Sequence, residues 1–439
     1  MDSRRDCIAA RSSRSLGVPM RRRSDIARVV AARFISRAGA EAAFFVGVWG
    51  KAAYHLHATP GQLAAVMFAM AVSNMVGSVV AGVLIDRHGP RNVLMLAEIV
   101  FVPATIAIAF AATLPALVGL VTISAFVTAF VMTASASFAP FLATETSELE
   151  RINSRVEAAG SAAFVIGPAI AALIARYFDL GWVFAFDAAT SLVGAALVVR
   201  VALVRQPKRE APTRGHALAE TFEGMRVAYG SRPLRYYVLA GTVVWMSFGA
   251  FGALEPLFFR DVVHTGVESI GWINSLFGLA LATGAWLLPK LPRPVVSARG
   301  LAVLVAACGL GASAYVGSGD LRLVALGAAG WGVIIGMLEP LLRTLMQRDT
   351  PHELQGRVTG TAQVHRHGGE LLPLAVAPAL AARFGVQATM IGGGLVATVV
   401  ALLSLGEAAG IDRQLAALGP RDVHLQTLRT TDEPISPNP

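Results

Sequence analysis

Twelve apolar runs, each long enough to cross a bilayer as a helix of about 20 residues, alternate along the chain with short segments that hold most of the charges, prolines and turn residues. The runs fall at 29–50, 62–85, 92–112, 115–140, 158–178, 181–203, 235–259, 269–289, 299–318, 322–342, 358–382 and 386–406. In hydrocarbon every backbone polar group must be satisfied within its own segment, so each run is predicted as a helix. The pattern therefore predicts an all-α integral membrane protein with twelve transmembrane helices. The longest internal polar interval, Arg205 to Pro233, divides the runs six and six. Five parts follow: a basic N-terminal tail (1–28), a six-helix bundle (29–203), a central linker (204–234), a second six-helix bundle (235–406) and a C-terminal tail (407–439). That last tail shows no apolar face and is read as mobile.

Composition narrows the class. Of 439 residues, 55% are hydrophobic and 15% charged, against about 25% charged in soluble domains, which excludes an ordinary soluble enzyme. Cys7 and Cys308 lie far apart, so no disulfide framework is expected. The net charge of +9 has a topological origin. With both ends in the cytoplasm, 29 of the 37 Lys and Arg lie in inner segments or at the inner ends of runs, five in outer loops or at the outer ends of runs, and three (Arg33, Arg37 and Arg366) further inside runs. Such asymmetry orients a polytopic protein, and nucleic-acid binding is not needed to explain it. The basic tail with Arg21-Arg22-Arg23 lacks the apolar stretch and cleavage site of a signal peptide, and Met20 is an alternative first residue.

Repetition supports two related halves. Leu173-Ile174-Ala175-Arg176-Tyr177 closes run 5, and Leu380-Ala381-Ala382-Arg383-Phe384 closes run 11. Leu254-Glu255-Pro256-Leu257 recurs as Leu338-Glu339-Pro340-Leu341, in non-equivalent runs.

The loop between runs 2 and 3 reads Gly82-Val83-Leu84-Ile85-Asp86-Arg87-His88-Gly89-Pro90-Arg91. It resembles the loop signature of the major facilitator superfamily, G-x-x-x-D-[RK]-x-G-[RK]-[RK], with Pro90 where a base is usual. Gly82 is expected to permit close helix approach, Gly89 to support a tight turn, and Asp86 to pair with Arg91. The resemblance implies two pseudo-symmetric bundles and a cytoplasmic latch built from Gly82, Asp86, Arg87, Gly89 and Arg91. Run 5, with Gly160 and Gly167-Pro168-Ala169-Ile170-Ala171-Ala172, resembles the antiporter motif of exporters in that superfamily, with alanines replacing its last two glycines. Glu150 to Ser154, Phe184 to Ala188 and Gln347 to Val358 are similar to the macrolide-efflux and enterobactin-exporter branch. This implies alternating-access export of a lipophilic or amphipathic small molecule (a drug, antibiotic, siderophore or secondary metabolite) from the cytoplasmic membrane. A monomer that needs no cofactor or metal is expected. A lysophospholipid flippase or an importer of the same fold remains open, as does a non-transporting sensor.

Ionisable residues inside membrane runs are costly and point to function. Arg37 and Glu41 lie one turn apart in run 1, with Glu41 about 18 Å along it at 1.5 Å per residue. Burial favours the neutral acid, and Arg37 favours the carboxylate. A group balanced between the two can exchange a proton, while a purely structural ion pair is the alternative. Run 11 holds His365, Arg366, His367 and Glu370, which could bind an anionic substrate group or carry protons, unless the run begins later and leaves them solvated. Glu255, near the outer end of run 7, is a candidate substrate contact. Glu98 is expected to reach the headgroups, Glu339 to pair with Arg343, and Asp187 to serve helix packing. Asn74 and Trp245 are cavity candidates. No nucleotide-binding or hydrolase motif is present in the sequence, so uphill transport would draw on an ion gradient, protons being the simplest.

Overall fold

A computed structural model describes residues 20–203, 224–351 and 354–417, and among them it contains helices and no strand. Helix α1 (Met20–Ala42) continues as π-helix through Ala43–Val48 and Gly50–His55. There follow α2 (Pro60–His88), α3 (Pro90–Ala109), α4 (Leu114–Ala136), a single turn at Ala139–Leu142, α5 (Thr146–Tyr177) and α6 (Gly181–Val198). The second half holds α7 (Arg232–Asp261), α8 (Glu268–Leu287), α9 (Ala298–Tyr315), α10 (Leu321–Asp349), α11 (Gln355–Phe384), α12 (Val386–Leu403) and α13 (Leu405–Ala417).

Every predicted run lies on one of α1 to α12. Among the described residues ten helices are long and apolar enough to cross a membrane; α1 and α11, which carry most of the embedded charge, are the two of these twelve outside that set. The chain is a multi-pass membrane protein. Its outward faces carry Val79, Leu96, Leu326 and Val396, all more than half exposed, as expected when lipid is the solvent.

The chain packs as two compact units. Within the described residues, the first comprises 20–47, 69–167 and 177–203, and the second comprises 48–68, 168–176 and the residues from 224 onward. In the first, α1 and α3 pack on α6 and α3 packs on α4; in the second, α7 and α9 pack on α12 and α9 packs on α10. Each pairing recurs six helices later, so the duplication read from the strings closing α5 and α11 is a duplication of packing. Those helices end on Tyr177 and Phe384, the aromatic of each string.

Several helices overrun their predicted limits. The segment 20–28, expected as tail, is the first two turns of α1: Asp25 is buried and accepts from Arg28 at 2.8 Å, and Ile26 enters a core with Ile85, Leu94, Phe101, Phe138, Leu142 and Ile152. Ile152 belongs to a stretch expected as loop that is instead the start of α5. Residues 204–223, most of the predicted linker, lie outside the described residues.

The start of the C-terminal segment is corrected too, while residues 418–439 of the predicted tail lie outside the described residues. Residues 405–417 form α13, which buries Ala408 and Ile411 against α9. The apolar positions three apart are few, which is why the sequence alone reads as featureless. Asp412 accepts from the Ala298 and Arg299 backbone N–H groups at 2.8 and 3.1 Å, placing a negative charge on the N-terminus of α9. Arg232 donates two hydrogen bonds to Glu407, at 2.7 and 2.8 Å.

These contacts predict two outcomes. Asp412→Ala should cost about 1 kcal/mol of stability, as for a lost helix cap, read as a lower melting temperature of the detergent-solubilised protein. The Arg232 hydrogen bonds hold the Glu407 carboxyl below the usual carboxylate range. The pairing is thus fully present above that range and is lost as pH falls through the lowered value. Amide exchange in α13 should rise on acidification in the wild type, and Glu407→Gln should show the raised rate already at neutral pH.

Candidate functional site

In the first unit the chemistry gathers on one face of α1. Arg33, Arg37 and Glu41 stand four residues apart and so share a stripe. Glu41 is 6% exposed and forms an ion pair with Arg37, whose other terminal nitrogen donates to Met132 Sδ at 2.9 Å. Arg33 donates to the same sulfur at 3.3 Å.

Small residues bring the neighbouring helices onto this stripe. A Cβ added at Gly160 of α5 would lie 3.5 Å from Arg33 Nε; one at Gly167 would run into the Ala38 carbonyl and lie 3.0 Å from Glu41 Cβ. The motif positions Gly160 and Gly167 are thus brought onto the charged stripe that holds the predicted site residues Arg37 and Glu41. Pro168 follows inside α5, and Ala171 and Ala172, where the exporter pattern has glycines, are fully buried. On the other side, Gly39 meets Thr190 and Asp187 of α6. The π-helical stretch begins two residues after Glu41, a departure from α-helix often found at functional sites. Nothing in the hydrophobic pattern announces it.

Two further acids lie in the same unit. Glu98, expected near the headgroups, is 2% exposed and accepts hydrogen bonds from Ser36 of α1 and Ser191 of α6. Ala40, Phe101, Thr128, Val131 and Met132 complete the small cavity around it. Its burial is legible after the fact, because Leu94, Ala97, Glu98, Phe101 and Thr105 form one buried helical stripe on α3. Asp187 is fully buried and accepts from Thr105 Oγ1 at 2.7 Å, in keeping with a packing role.

The second unit is built around aromatic rings. Glu255 on α7 is buried and accepts from Tyr315 of α9 and Asn274 of α8. Tyr315 stacks on Trp331 of α10 at 5.5 Å, Trp331 on Phe248 of α7 at 4.9 Å, and Phe248 contacts Trp245 at 5.1 Å. Over the Trp245 ring, 3.6 Å from its centroid, sits the Arg366 guanidinium of α11. Arg366 also faces Glu339 of α10 at 3.6 Å. Among the described residues Glu339 thus pairs across helices with Arg366 and not along its own helix with Arg343. The register of α10 against α11, invisible in sequence, decides this.

The run-11 residues do not form one cluster. His365 donates from Nδ1 to the Thr361 carbonyl and accepts the Tyr229 hydroxyl on Nε2, so it serves the end of α11 while Arg366 serves the aromatic run. Glu370 is half-buried, and its backbone carbonyl lies where a Cβ at Gly249 of α7 would stand. The side chain of His367 lies outside the described residues.

At the α2–α3 turn Gly89 adopts φ 79°, the left-handed geometry that a tight turn before Pro90 requires. Asp86 and Arg87 are exposed, and Arg91 donates to the Val201 carbonyl at 3.1 Å; among the described residues no ion pair joins Arg91 to Asp86. A Cβ at Gly82 meets open space, whereas one at Gly77 would strike the Phe126 carbonyl and Ala129 of α4. Close helix approach is therefore at Gly77, about one and a half turns before the motif. Asn74 is half-buried on the same helix.

The sequence model of the Major Facilitator Superfamily matches residues 29–373, and the chain belongs to that superfamily. The multidrug efflux pump Tap of Mycobacterium tuberculosis is 26% identical over 349 residues, covering 75% of this chain and 81% of Tap. Macrolide efflux protein A of Streptococcus pyogenes is 28% identical over 211 residues, 44% of this chain and 50% of that protein. A point mutant of the nucleoside transporter NupG superposes with a TM-score of 0.71 at 12% identity, covering 87% of this chain and 99% of NupG. A bacterial homologue of the human lysosomal transporter Spinster gives 0.62 at 12% identity, covering 95% and 100%. These superpositions carry the fold, and the chain is a small-molecule transporter of the major facilitator type.

The glycine geometry separates motif from packing in a melting experiment. Gly167→Ala and Gly77→Ala should each lose about 1–3 kcal/mol from overpacking, while Gly82→Ala should stay within about 0.5 kcal/mol.

Proposed function

We propose that this member of the superfamily exports a lipophilic or amphipathic small molecule by alternating access, in exchange for protons, with Glu41 as the proton-carrying group. Residues 29–203 and 235–406 act as the two six-helix bundles, α1 and α11 being the two charge-bearing spans that complete them. Both termini face the cytoplasm, an orientation that the Lys and Arg distribution supports; the protein sits in the cytoplasmic membrane and works as a monomer.

One observation carries the reading: Glu41, buried inside a membrane helix, has Arg37 beside it and the glycine of the exporter-like α5 motif packed against its Cβ. A carboxylate so placed is stabilised by the guanidinium, and any motion of α5 against α1 changes the packing around the acid. Proton binding and helix movement are thereby linked. The efflux activity named for the Tap and macrolide relatives supplies the direction. Asp86, Arg87, Gly89 and Arg91 form the cytoplasmic latch, with Arg91 resting on Val201 in the arrangement described.

Inverted vesicles energised by respiration and loaded with a pH-sensitive dye test this directly, with macrolides, siderophores, cationic dyes and lysolipids added in turn. A transported compound should release protons from wild-type vesicles. Glu41→Gln should abolish uphill efflux and proton release while preserving downhill exchange; concentrative efflux at the wild-type level in that variant would refute the role of Glu41. Proton-independent movement of lysolipids alone would favour a lipid flippase.

A further inference from the structure

Arg366 occupies a position suited to an organic cation. The face of an indole and a carboxylate within reach of the same point are what recognises such ions, and both converge on its guanidinium: Trp245 at 3.6 Å and Glu339 at 3.6 Å. The hold is loose. Charge-assisted N–H to O⁻ bonds measure about 2.7–2.9 Å, well below the Glu339 distance, and the Arg366 Nε is buried with no hydrogen-bond partner. A structural arginine would use its planar fork for paired bonds. Here its charge is satisfied and its hydrogen-bonding capacity is not.

The surroundings suit an exchangeable occupant. The side chains of Arg366 and Glu339 are 33% and 40% exposed. Accessible charge on membrane-embedded helices belongs next to water, not lipid. Trp245, by contrast, is held by ring packing: it ends the aromatic run through Phe248, Trp331 and Tyr315, whose far end is hydrogen-bonded to Glu255. An indole held by its ring neighbours and a tethered cation held by longer contacts would leave the binding surface preformed when the cation swings away.

We propose that Trp245 and Glu339 form a recognition site for a monovalent lipophilic organic cation, and that Arg366 is a tethered occupant which the incoming cation displaces. This deepens the export reading and rests on it, assigning the cargo a charge and placing the cargo's contact on α7 and α10, with the proton on α1. It also reverses the sign expected for Arg366: a residue that grips an anionic substrate helps binding, whereas a built-in competitor hinders it.

The test uses the full chain in nanodiscs, with radiolabelled tetraphenylphosphonium as the probe and triphenylphosphine oxide as a neutral analogue of related shape, measured by equilibrium dialysis. The wild type should bind the cation and not the neutral compound. Glu339→Gln should weaken cation binding about tenfold, a change of about 1.4 kcal/mol. Trp245→Leu should weaken it several-fold, with most affinity kept in Trp245→Phe. Arg366→Gln should tighten binding about threefold or more. Weaker binding in Arg366→Gln at an unchanged melting temperature, equal binding of the cation and its neutral analogue, or unchanged affinity in Glu339→Gln would each overturn the proposal. If Arg366→Gln does not fold, Glu339→Gln and Trp245→Phe still decide it. Counterflow of the same cation in proteoliposomes separates the two readings. Binding with the expected pattern but no counterflow leaves the site standing and removes export of this cargo. Counterflow indifferent to Glu339→Gln removes the site and leaves export standing.

Discussion

A carboxyl group inside a membrane helix has to find its partner within the protein, because lipid offers none. The arrangement of both units follows from this constraint. Glu41 is met by a guanidinium on its own helix, Glu98 by two serine hydroxyls, Asp187 by a threonine, and Glu255 by a tyrosine and an asparagine. The partners are of two kinds, with different consequences. A guanidinium favours the charged carboxylate alone. A hydroxyl can turn from donor to acceptor and so serve the acid as well as its anion. The hydroxyl-bound acids are therefore built to tolerate either protonation state in place, while any proton taken up by Glu41 must loosen its hold on Arg37. Of the four, Glu41 is the one held by a charged partner, so protonation there would have the consequence of releasing an ion pair.

That consequence depends on how closely the helices approach. Gly167 and Gly39 bring α5 and α6 onto the backbone and charged face of α1, and Gly249 brings α7 onto the backbone of α11. Where two helices touch through glycine, no side chain cushions a shift between them, and the contact either keeps its register or moves as a whole. Helix α1 is thus clamped between two helices, the one on its charged stripe containing Pro168 just beyond the contact, where it can bend.

The positions of the helices are readable from sequence because run length in an apolar segment is a one-dimensional property that tertiary packing does not alter. Even the charge-rich α1 and α11 cover the runs expected of them, although α1 begins nine residues earlier. The site is readable in part. Arg37 with Glu41 needs only helical spacing, and Gly89 needs only the local demand for a left-handed residue before Pro90. The misses share a cause: each depends on how one helix is rotated or displaced against another. Counting depth along α3 sends Glu98 to the headgroups, because depth takes no account of the face it occupies. Intrahelical spacing gives Glu339 to Arg343, because it says nothing of α11. The loop motif points to Gly82 for close approach, although the neighbour it needs, α4, comes within reach at Gly77.

The repeated Leu-Glu-Pro-Leu string gains meaning once its environment is known. Each copy is preceded by glycine at the position four before the proline, Gly252 for Pro256 and Gly336 for Pro340. A proline leaves the carbonyl four residues earlier without its donor and crowds it; a glycine there gives that turn more freedom to adjust. The two strings are thus two points where α7 and α10 can bend, each one residue past an acid. The acids lie at opposite ends of one aromatic run, Glu255 against Tyr315 and Glu339 opposite the Arg366 that covers Trp245. A bend at either proline would re-aim its neighbouring carboxylate, and the packed rings between them would carry the displacement, since close-packed interiors compress little. A short string that carries little weight as a sign of duplication thereby marks the two places where the second unit can couple a change of helix shape to a change in who holds its charges.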